Sequence, residues 1–214
     1  MTPQQASAKA LYICGLAPVV PVLVIDDLAH ATALARALVA GGLPALEVTL
    51  RTPCALDAIR AMAEIPGGVV GAGTLLTAAD VKAAKAAGAQ FGVSPGVTER
   101  LLAACEDEEL PLLPGAATAT EVMFLLERGY TVQKFFPAEA IGGAPALKSI
   151  GGPIPQVKFC PTGGVTLKNA PDYLGLPNVL CVGGSWIAPK AMMLAGDWAG
   201  IEALAREAAG LRKT

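Results

Sequence analysis

Eight short runs rich in β-branched and aliphatic residues alternate along this chain with eight Ala-rich stretches, and Gly or Pro marks most of the boundaries. The runs are Val19 to Ile25, Ala45 to Arg51, Val69 to Ala72, Phe91 to Ser94, Leu110 to Leu113, Thr131 to Phe136, Gln156 to Cys160 and Val179 to Val182. A strand covered on both faces reads as a near-continuous apolar run, so the pattern predicts a parallel sheet wrapped by helices. Those helices fall at Ala29 to Ala40, Ala55 to Ala63, Ala78 to Ala87, Thr98 to Glu106, Ala119 to Arg128, Ala144 to Ile150, Leu167 to Leu174 and Trp198 to Leu211. Gly41, Gly88 and Gly129 stand where helices end. From Ala17 to Thr214 there are 198 residues, about 25 for each strand-helix cycle, which is a strand, a helix and two short loops. An open doubly wound sheet holds five or six such units, whereas eight favour closure into a single (β/α)8 TIM barrel of the α/β class. Residues 1–16, weakly helical at Ala6 to Ile13, are left as an N-terminal helical cap on the barrel floor, and residues 17–214 form the barrel, one domain.

The 214 residues are 53% hydrophobic and 16% charged, against a usual charged share of roughly 25%, which excludes disorder. A net charge of -2 provides no broad positive field for nucleic acid or an anionic membrane surface, so an anionic substrate must be caught by local groups. No apolar run approaches the ~20 residues of a membrane span, and Met1 to Lys9 lacks the pattern of a secretory leader, so a cytoplasmic enzyme is expected. Cys14, Cys54, Cys105, Cys160 and Cys181 are far apart, with His30 the only histidine. They read as reduced, packed thiols, and no metal is expected. His30 opens the first barrel helix on the outside. The run Glu106 to Glu109 reads as a solvated helix end. Gly71-Ala72-Gly73-Thr74 is no dinucleotide fingerprint, because its third glycine would fall at Leu76.

Polar residues interrupt two runs where a barrel interior should be apolar. Along Ala45 to Arg51, Leu46, Val48 and Leu50 share one face and Glu47, Thr49 and Arg51 the other. The apolar face must meet the helices, so the polar one points inward, with Arg51 at the strand's C-terminal end where barrel active sites open. A buried Glu47–Arg51 ion pair is the plain structural alternative. Lys134 sits within Thr131 to Phe136, beside two phenylalanines. An ordinary lysine amine, with a pKa of about 10.4, is almost wholly charged at neutral pH, and dry surroundings favour the neutral, nucleophilic form used in Schiff-base chemistry. The alternative is a lysine that snorkels past the helices. Lys158 competes for the role, but lies earlier in its strand, where a structural ion pair is its natural task. Thr162-Gly163-Gly164 and Gly183-Gly184-Ser185 follow the last two runs, the position at which barrels commonly bind phosphate through backbone N–H groups and a short helix N-terminus. A phosphosugar isomerase or a non-catalytic phosphate-binding barrel would share these glycines but would have no use for an inward lysine.

Six ordered motifs carry a resemblance over nearly the whole chain: Leu46-Glu47-Val48-Thr49-Leu50-Arg51-Thr52, Val70-Gly71-Ala72-Gly73-Thr74, Ser94-Pro95-Gly96, Lys134-Phe135-Phe136-Pro137-Ala138-Glu139, Phe159-Cys160-Pro161-Thr162-Gly163-Gly164 and Cys181-Val182-Gly183-Gly184-Ser185-Trp186. In these the chain resembles the class I 2-keto-3-deoxy-6-phosphogluconate aldolases, which also act as 4-hydroxy-2-oxoglutarate aldolases. The resemblance implies Lys134 as the Schiff-base lysine and Glu47 as the proton-transfer residue. It implies that Arg51 and Thr74, with Lys134, hold the pyruvate portion of a phosphorylated keto-acid. It further implies Pro95, Phe136 and Thr162 near the aldehyde end, Gly163, Gly164, Gly184 and Ser185 about the phosphate, no cofactor and a homotrimer. Two departures stand out: Ala116-Ala117 lacks a serine common in the family, and Gln133 replaces a bulky residue and should face the helices.

Overall fold

The computed structural model describes residues 1–211, so the last three positions of the expected 17–214 range lie outside the described residues. Strands β1 (Val19–Leu23), β2 (Ala45–Thr49), β3 (Val69–Gly73), β4 (Phe91–Val93), β5 (Leu112–Leu113), β6 (Gly115–Ala116), β7 (Val132–Phe135), β8 (Lys158–Pro161) and β9 (Val182–Gly184) pair only in parallel. Helix α1 (Pro3–Cys14) precedes them, and α2 (Ala31–Ala40), α3 (Ala55–Ala63), α4 (Ala78–Ala86), α5 (Glu99–Asp107), α6 (Ala119–Glu127), α7 (Gly143–Gly151) and α8 (Ala170–Leu174) alternate with them. Two helices, α9 (Lys190–Ala195) and α10 (Trp198–Ala209), end the described chain. A six-stranded sheet in the order β5-β4-β3-β2-β1-β9 makes a parallel α/β half-barrel, and β6-β7-β8 form a second sheet.

The eight expected runs thus appear as nine strands in two sheets. Pro114 makes the extra one. Leu113 pairs with Val93 of β4 and Gly115 with Lys134 of β7, and the proline between them has no N–H to continue a ladder. At the other junction, β8 and the last run touch through isolated parallel bridges, Phe159 to Val179 and Thr162 to Gly183. Helix α9 is absent from the sequence reading, although Pro189 stands directly before it.

Helix α1 starts earlier than Ala6 because Thr2 and Gln5 form a capping box, each side chain accepting the other's backbone N–H, with Pro3 in the first turn where a missing N–H costs nothing. Ser7 ties it to the strands, accepting from Thr131 N at 3.0 Å and donating to Gly129 O at 3.2 Å. Ala10, Ile13 and Cys14 then meet Val20, Ala45, Phe91, Val93, Leu113, Val132, Cys160 and Cys181 in one buried cluster. A larger cluster lies between strands and helices and holds Leu46, Val48, Phe135 and Phe159 with Leu38, Ile59, Leu125 and Ile201. Neighbours along one strand, such as Ala45 and Leu46, belong to different clusters, as a period of two requires. Each fully buried Leu or Phe contributes about 1.5–3 kcal/mol, so the helix-facing layer carries stability and leaves inward positions open to polar residues.

Gln133 faces outward as expected, its Nε2 donating to Val122 O of α6 and to Tyr130 O. The five cysteines are free, and all but the half-buried Cys54 are buried. His30 ends a 3-10 turn ahead of α2 with its ring 5.6 Å from that of Trp198 on α10. The Glu106 to Glu109 run is not wholly solvated: Glu106 Oε1 accepts from Arg128 Nη2 and Tyr130 Oη, each at 3.2 Å. Among the described residues no helix is long and apolar enough to cross a membrane.

Candidate active site

Leu46 and Val48 are fully buried on the helix side of β2, which turns Glu47 and Thr49 into the space enclosed by the strands. From β7, in the other sheet, Lys134 enters the same space by the same alternation, since Gln133 and Phe135 face the helices. The two charged groups meet with Lys134 Nζ 3.4 Å from Glu47 Oε1, at 5% and 3% residue exposure. The ring of Phe136 has its centroid 5.2 Å from the same amine, within cation–π range. Burial pushes the Glu47 carboxyl above its ordinary value, and the Lys134 charge opposes that only in part. A carboxyl with raised proton affinity, in contact with a buried amine, can both take and return a proton.

Gly73 makes room for this pair. A Cβ at that position would lie 2.3 Å from Glu47 Oε1, so β3 passes the carboxylate at a distance only glycine permits. The next residue, Thr74, has a φ of 63°. A β-branched residue in the left-handed region stores strain of about 1–3 kcal/mol, which is found mostly at functional sites.

Glu47 therefore pairs with Lys134 and not with Arg51, and Lys134 does not snorkel. The strand stops at Thr49, two residues before Arg51: Leu50 N makes the last ladder bond, to Gly73 O, and Arg51 N then turns back to Thr49 O, both at 2.8 Å. Arg51 is exposed beyond the strand end, with its Nε donating to Thr49 Oγ1 at 3.2 Å. Lys158 opens β8 opposite Val132 and donates to Pro177 O at 3.1 Å. The ion pair expected for it does not form among the described residues, because a backbone carbonyl takes the place of an acid.

The remaining expected residues lie at the C-terminal ends of the strands. Pro95 follows β4, and its carbonyl lies where a Cβ on Gly115 would approach to 2.4 Å. Phe136 directly follows β7 and precedes a cis peptide to Pro137. Thr162 bridges to Gly183, so Gly163 and Gly164 emerge beside Gly184 and Ser185. Gly163 and Gly164 turn with φ of 100° and 78°, values that favour glycine at both positions. The turn is laced to the segment after Lys134 by Ala138 N to Thr162 O at 2.8 Å and Glu139 N to Gly163 O at 3.0 Å. Gly184 is buried, Ser185 is exposed, and the N–H groups of Gly164 and Ser185 take no acceptor among the described residues. No helix begins directly after Ser185: α9 starts at Lys190.

The sequence reading gives no task to Thr49 or Gly73. The signal for Gly73 is two glycines and an alanine ending an otherwise aliphatic strand. It also leaves unlinked Cys14, Cys160 and Cys181, which come together in one buried cluster with residues of α1 and the strands. Among the described residues no group of three or more His, Cys, Asp or Glu side chains could hold a metal ion.

Comparison with known proteins agrees with this arrangement. The family model described as KDPG and KHG aldolase matches residues 12–204. The KHG/KDPG aldolase of Escherichia coli is 52% identical over 205 residues, covering 95% of each chain. The crystal structure of the 2-keto-3-deoxy-6-phosphogluconate aldolase of Zymomonas mobilis with 3-phosphoglycerate superposes with a TM-score of 0.91 at 54% identity, covering 95% of this chain and 96% of that one. A KDPG aldolase from Legionella pneumophila, with pyruvate captured as a covalent carbinolamine, gives a TM-score of 0.91 at 48% identity and covers 94% of this chain and 98% of that one. With a model matched over most of its length and relatives at this identity, the chain belongs to the KDPG and KHG aldolase family.

Proposed function

We propose that this protein is a class I aldolase that cleaves 2-dehydro-3-deoxy-6-phosphogluconate to pyruvate and glyceraldehyde 3-phosphate through a Schiff base on Lys134, with 4-hydroxy-2-oxoglutarate as a second substrate giving pyruvate and glyoxylate. The buried Lys134–Glu47 contact of 3.4 Å carries the reading. Support comes from the Legionella pneumophila relative, since a carbinolamine forms only when an amine adds to a carbonyl, and Lys134 is the lysine buried inside this site.

Glu47 takes a proton from Lys134, and the free amine attacks the C2 carbonyl to give a carbinolamine. Proton return through Glu47 to the C2 hydroxyl expels water and leaves a cationic imine. Glu47 then removes the C4 hydroxyl proton, the C3–C4 bond breaks, and its electron pair moves into the imine to form an enamine as the aldehyde departs. Protonation at C3 and addition of water release pyruvate and restore the amine. Arg51 and Thr74 hold the carboxylate, Pro95, Phe136 and Thr162 flank the aldehyde end, and Gly163, Gly164, Gly184 and Ser185 receive the phosphate. The N–H groups of Gly164 and Ser185 suit that last role. No metal or cofactor enters any of these steps.

The two sheets are read as one closed (β/α)8 barrel of a single domain with α1 as its floor. Chain continuity across Pro114 and the Thr162–Gly183 bridge support closure. A homotrimer acting in the cytoplasm completes the proposal. Incubation with pyruvate and borohydride, followed by peptide mass spectrometry, tests the chemistry. An adduct on the peptide carrying Lys134 is expected. An adduct on Lys158 would move the nucleophile to another strand, and no adduct at any pH would overturn the aldolase reading.

A further inference from the structure

We propose that Thr49 is a positioning residue for the substrate carboxylate, acting through Arg51; this rests on the aldolase reading above. Thr49 is 2% exposed, and its side chain hydrogen-bonds twice. Its hydroxyl donates to Leu23 O of β1 at 2.9 Å, which commits its single proton. A hydroxyl has one proton and two lone pairs, so what it presents to Arg51 is an acceptor, and Arg51 Nε donates to it at 3.2 Å. The contact takes Nε and leaves the outer edge of the guanidinium, the fork that grips a carboxylate in two parallel hydrogen bonds. Neither Nη of Arg51 has a hydrogen bond or ion pair among the described residues.

The backbone explains why the contact forms. Arg51 N donates to Thr49 O at 2.8 Å, a tight turn that brings the arginine back over the strand end. The loop beyond is clipped to the segment just after β1 by Thr52 Oγ1 at 2.6 Å and Cys54 Sγ at 3.1 Å, both donating to Ile25 O. Arg51 is exposed, and a free arginine samples many rotamers that binding must freeze out. A side chain already held at Nε loses less freedom when the carboxylate arrives. Thr49 touches no reacting atom in this scheme, and its effect is on binding.

The test compares Thr49→Val, which keeps the shape without the hydroxyl, with Thr49→Ser, which keeps the hydroxyl. KM and kcat are measured for cleavage of the phosphorylated substrate, together with the pyruvate concentration that half-saturates borohydride trapping. For Thr49→Val, KM and the half-saturating pyruvate are expected to rise about tenfold, with kcat within about threefold of the parent, because the lost grip is shared by ground and transition states. Thr49→Ser should restore both, and in an Arg51→Ala background Thr49→Val should add nothing further. An unchanged KM in Thr49→Val, or an effect that persists in full without Arg51, would overturn the proposal. Thr49→Ala is read by the same criteria if the valine variant does not fold. Should the parent itself fail to trap pyruvate, the aldolase reading falls first; a parent that traps normally beside an unaltered Thr49→Val leaves that reading intact and removes only this one.

Discussion

One added methyl group, Gly73→Ala, probes the site without removing any functional side chain. A Cβ on Gly73 would stand 2.3 Å from Oε1, 2.7 Å from Cγ and 2.9 Å from Cδ of Glu47, where ordinary contacts begin at 3.4 Å. The strand cannot give way cheaply, because Gly73 is paired with Thr49 and its carbonyl accepts from Leu50 N. The carboxylate must therefore retreat by about 1 Å, out of a 3.4 Å contact with Lys134. A misplacement of about 1 Å costs roughly 100-fold in rate, whereas overpacking a core costs about 1–3 kcal/mol of stability. The assay couples pyruvate release to NADH oxidation by lactate dehydrogenase, with a melting curve recorded on the same sample. Gly71→Ala serves as the control: it is the register partner of Glu47 on the same face of β3, but the nearest atoms its Cβ would meet are those of the Phe91 ring, at 2.4 Å, and not the carboxylate. It should lose comparable stability and far less turnover. A folded Gly73→Ala enzyme within about threefold of the parent in kcat, or a Gly71→Ala enzyme equally slow, would refute the argument that glycine 73 positions the proton carrier.

Three further outcomes are expected. Burial raises the Glu47 carboxyl above its ordinary 4.5, so the native state favours the protonated form, and the stability this group contributes is complete below 4.5 and lost as pH rises through the raised value. The difference in urea midpoint between the parent and the non-titrating Glu47→Gln should accordingly move against the parent as pH rises, whatever constant offset the loss of Lys134's partner adds; a flat or rising difference would contradict the burial argument. In Gly183→Ala a Cβ would press to 2.3 Å on Thr162 Oγ1, so kcat/KM for the phosphorylated substrate should fall at least about tenfold while pyruvate trapping on Lys134 survives; loss of both together would place Thr162 at the wrong end of the site. Thiol labelling of the native protein should modify Cys54 alone, since Cys105, pushed up to about 12, is buried, as are Cys14, Cys160 and Cys181. A second label entering the native protein at a similar rate would contradict that packing, and five should enter in denaturant.

Where the sequence reading fell short, hydrogen bonds and strand pairings that hydropathy does not register outweighed the apolar pattern. Arg51 continues the period of two on paper, but after the last ladder bond, from Leu50 N to Gly73 O, Arg51 N donates back to Thr49 O and turns the chain out of β2. Lys158 looked suited to an ion pair and found a carbonyl, because no carboxylate from another element reaches it among the described residues. Pro114 was visible in the sequence, but not that the residues on its two sides would join different strand partners. Helix α1 was legible only as a weak pattern, and its first turn rests on a Thr2–Gln5 capping box that hydropathy does not register.

The sequence by itself determined which residues share a face. Alternation along Ala45 to Arg51 and Thr131 to Phe136 is a property of the extended backbone, so Glu47 and Lys134 could be placed inward from neighbouring residues alone. The glycines after the last two strands and the family motifs were equally local and equally legible. Only the tertiary structure decided which inward faces meet. Glu47 and Lys134 are 87 positions apart and stand on strands of different sheets, and their contact depends on the curvature that brings those sheets together and on the missing side chain at Gly73 that admits the carboxylate. Strand periodicity is set by backbone torsions within a few residues, whereas the distance between two side chains across an interior is set by the packing of every strand between them.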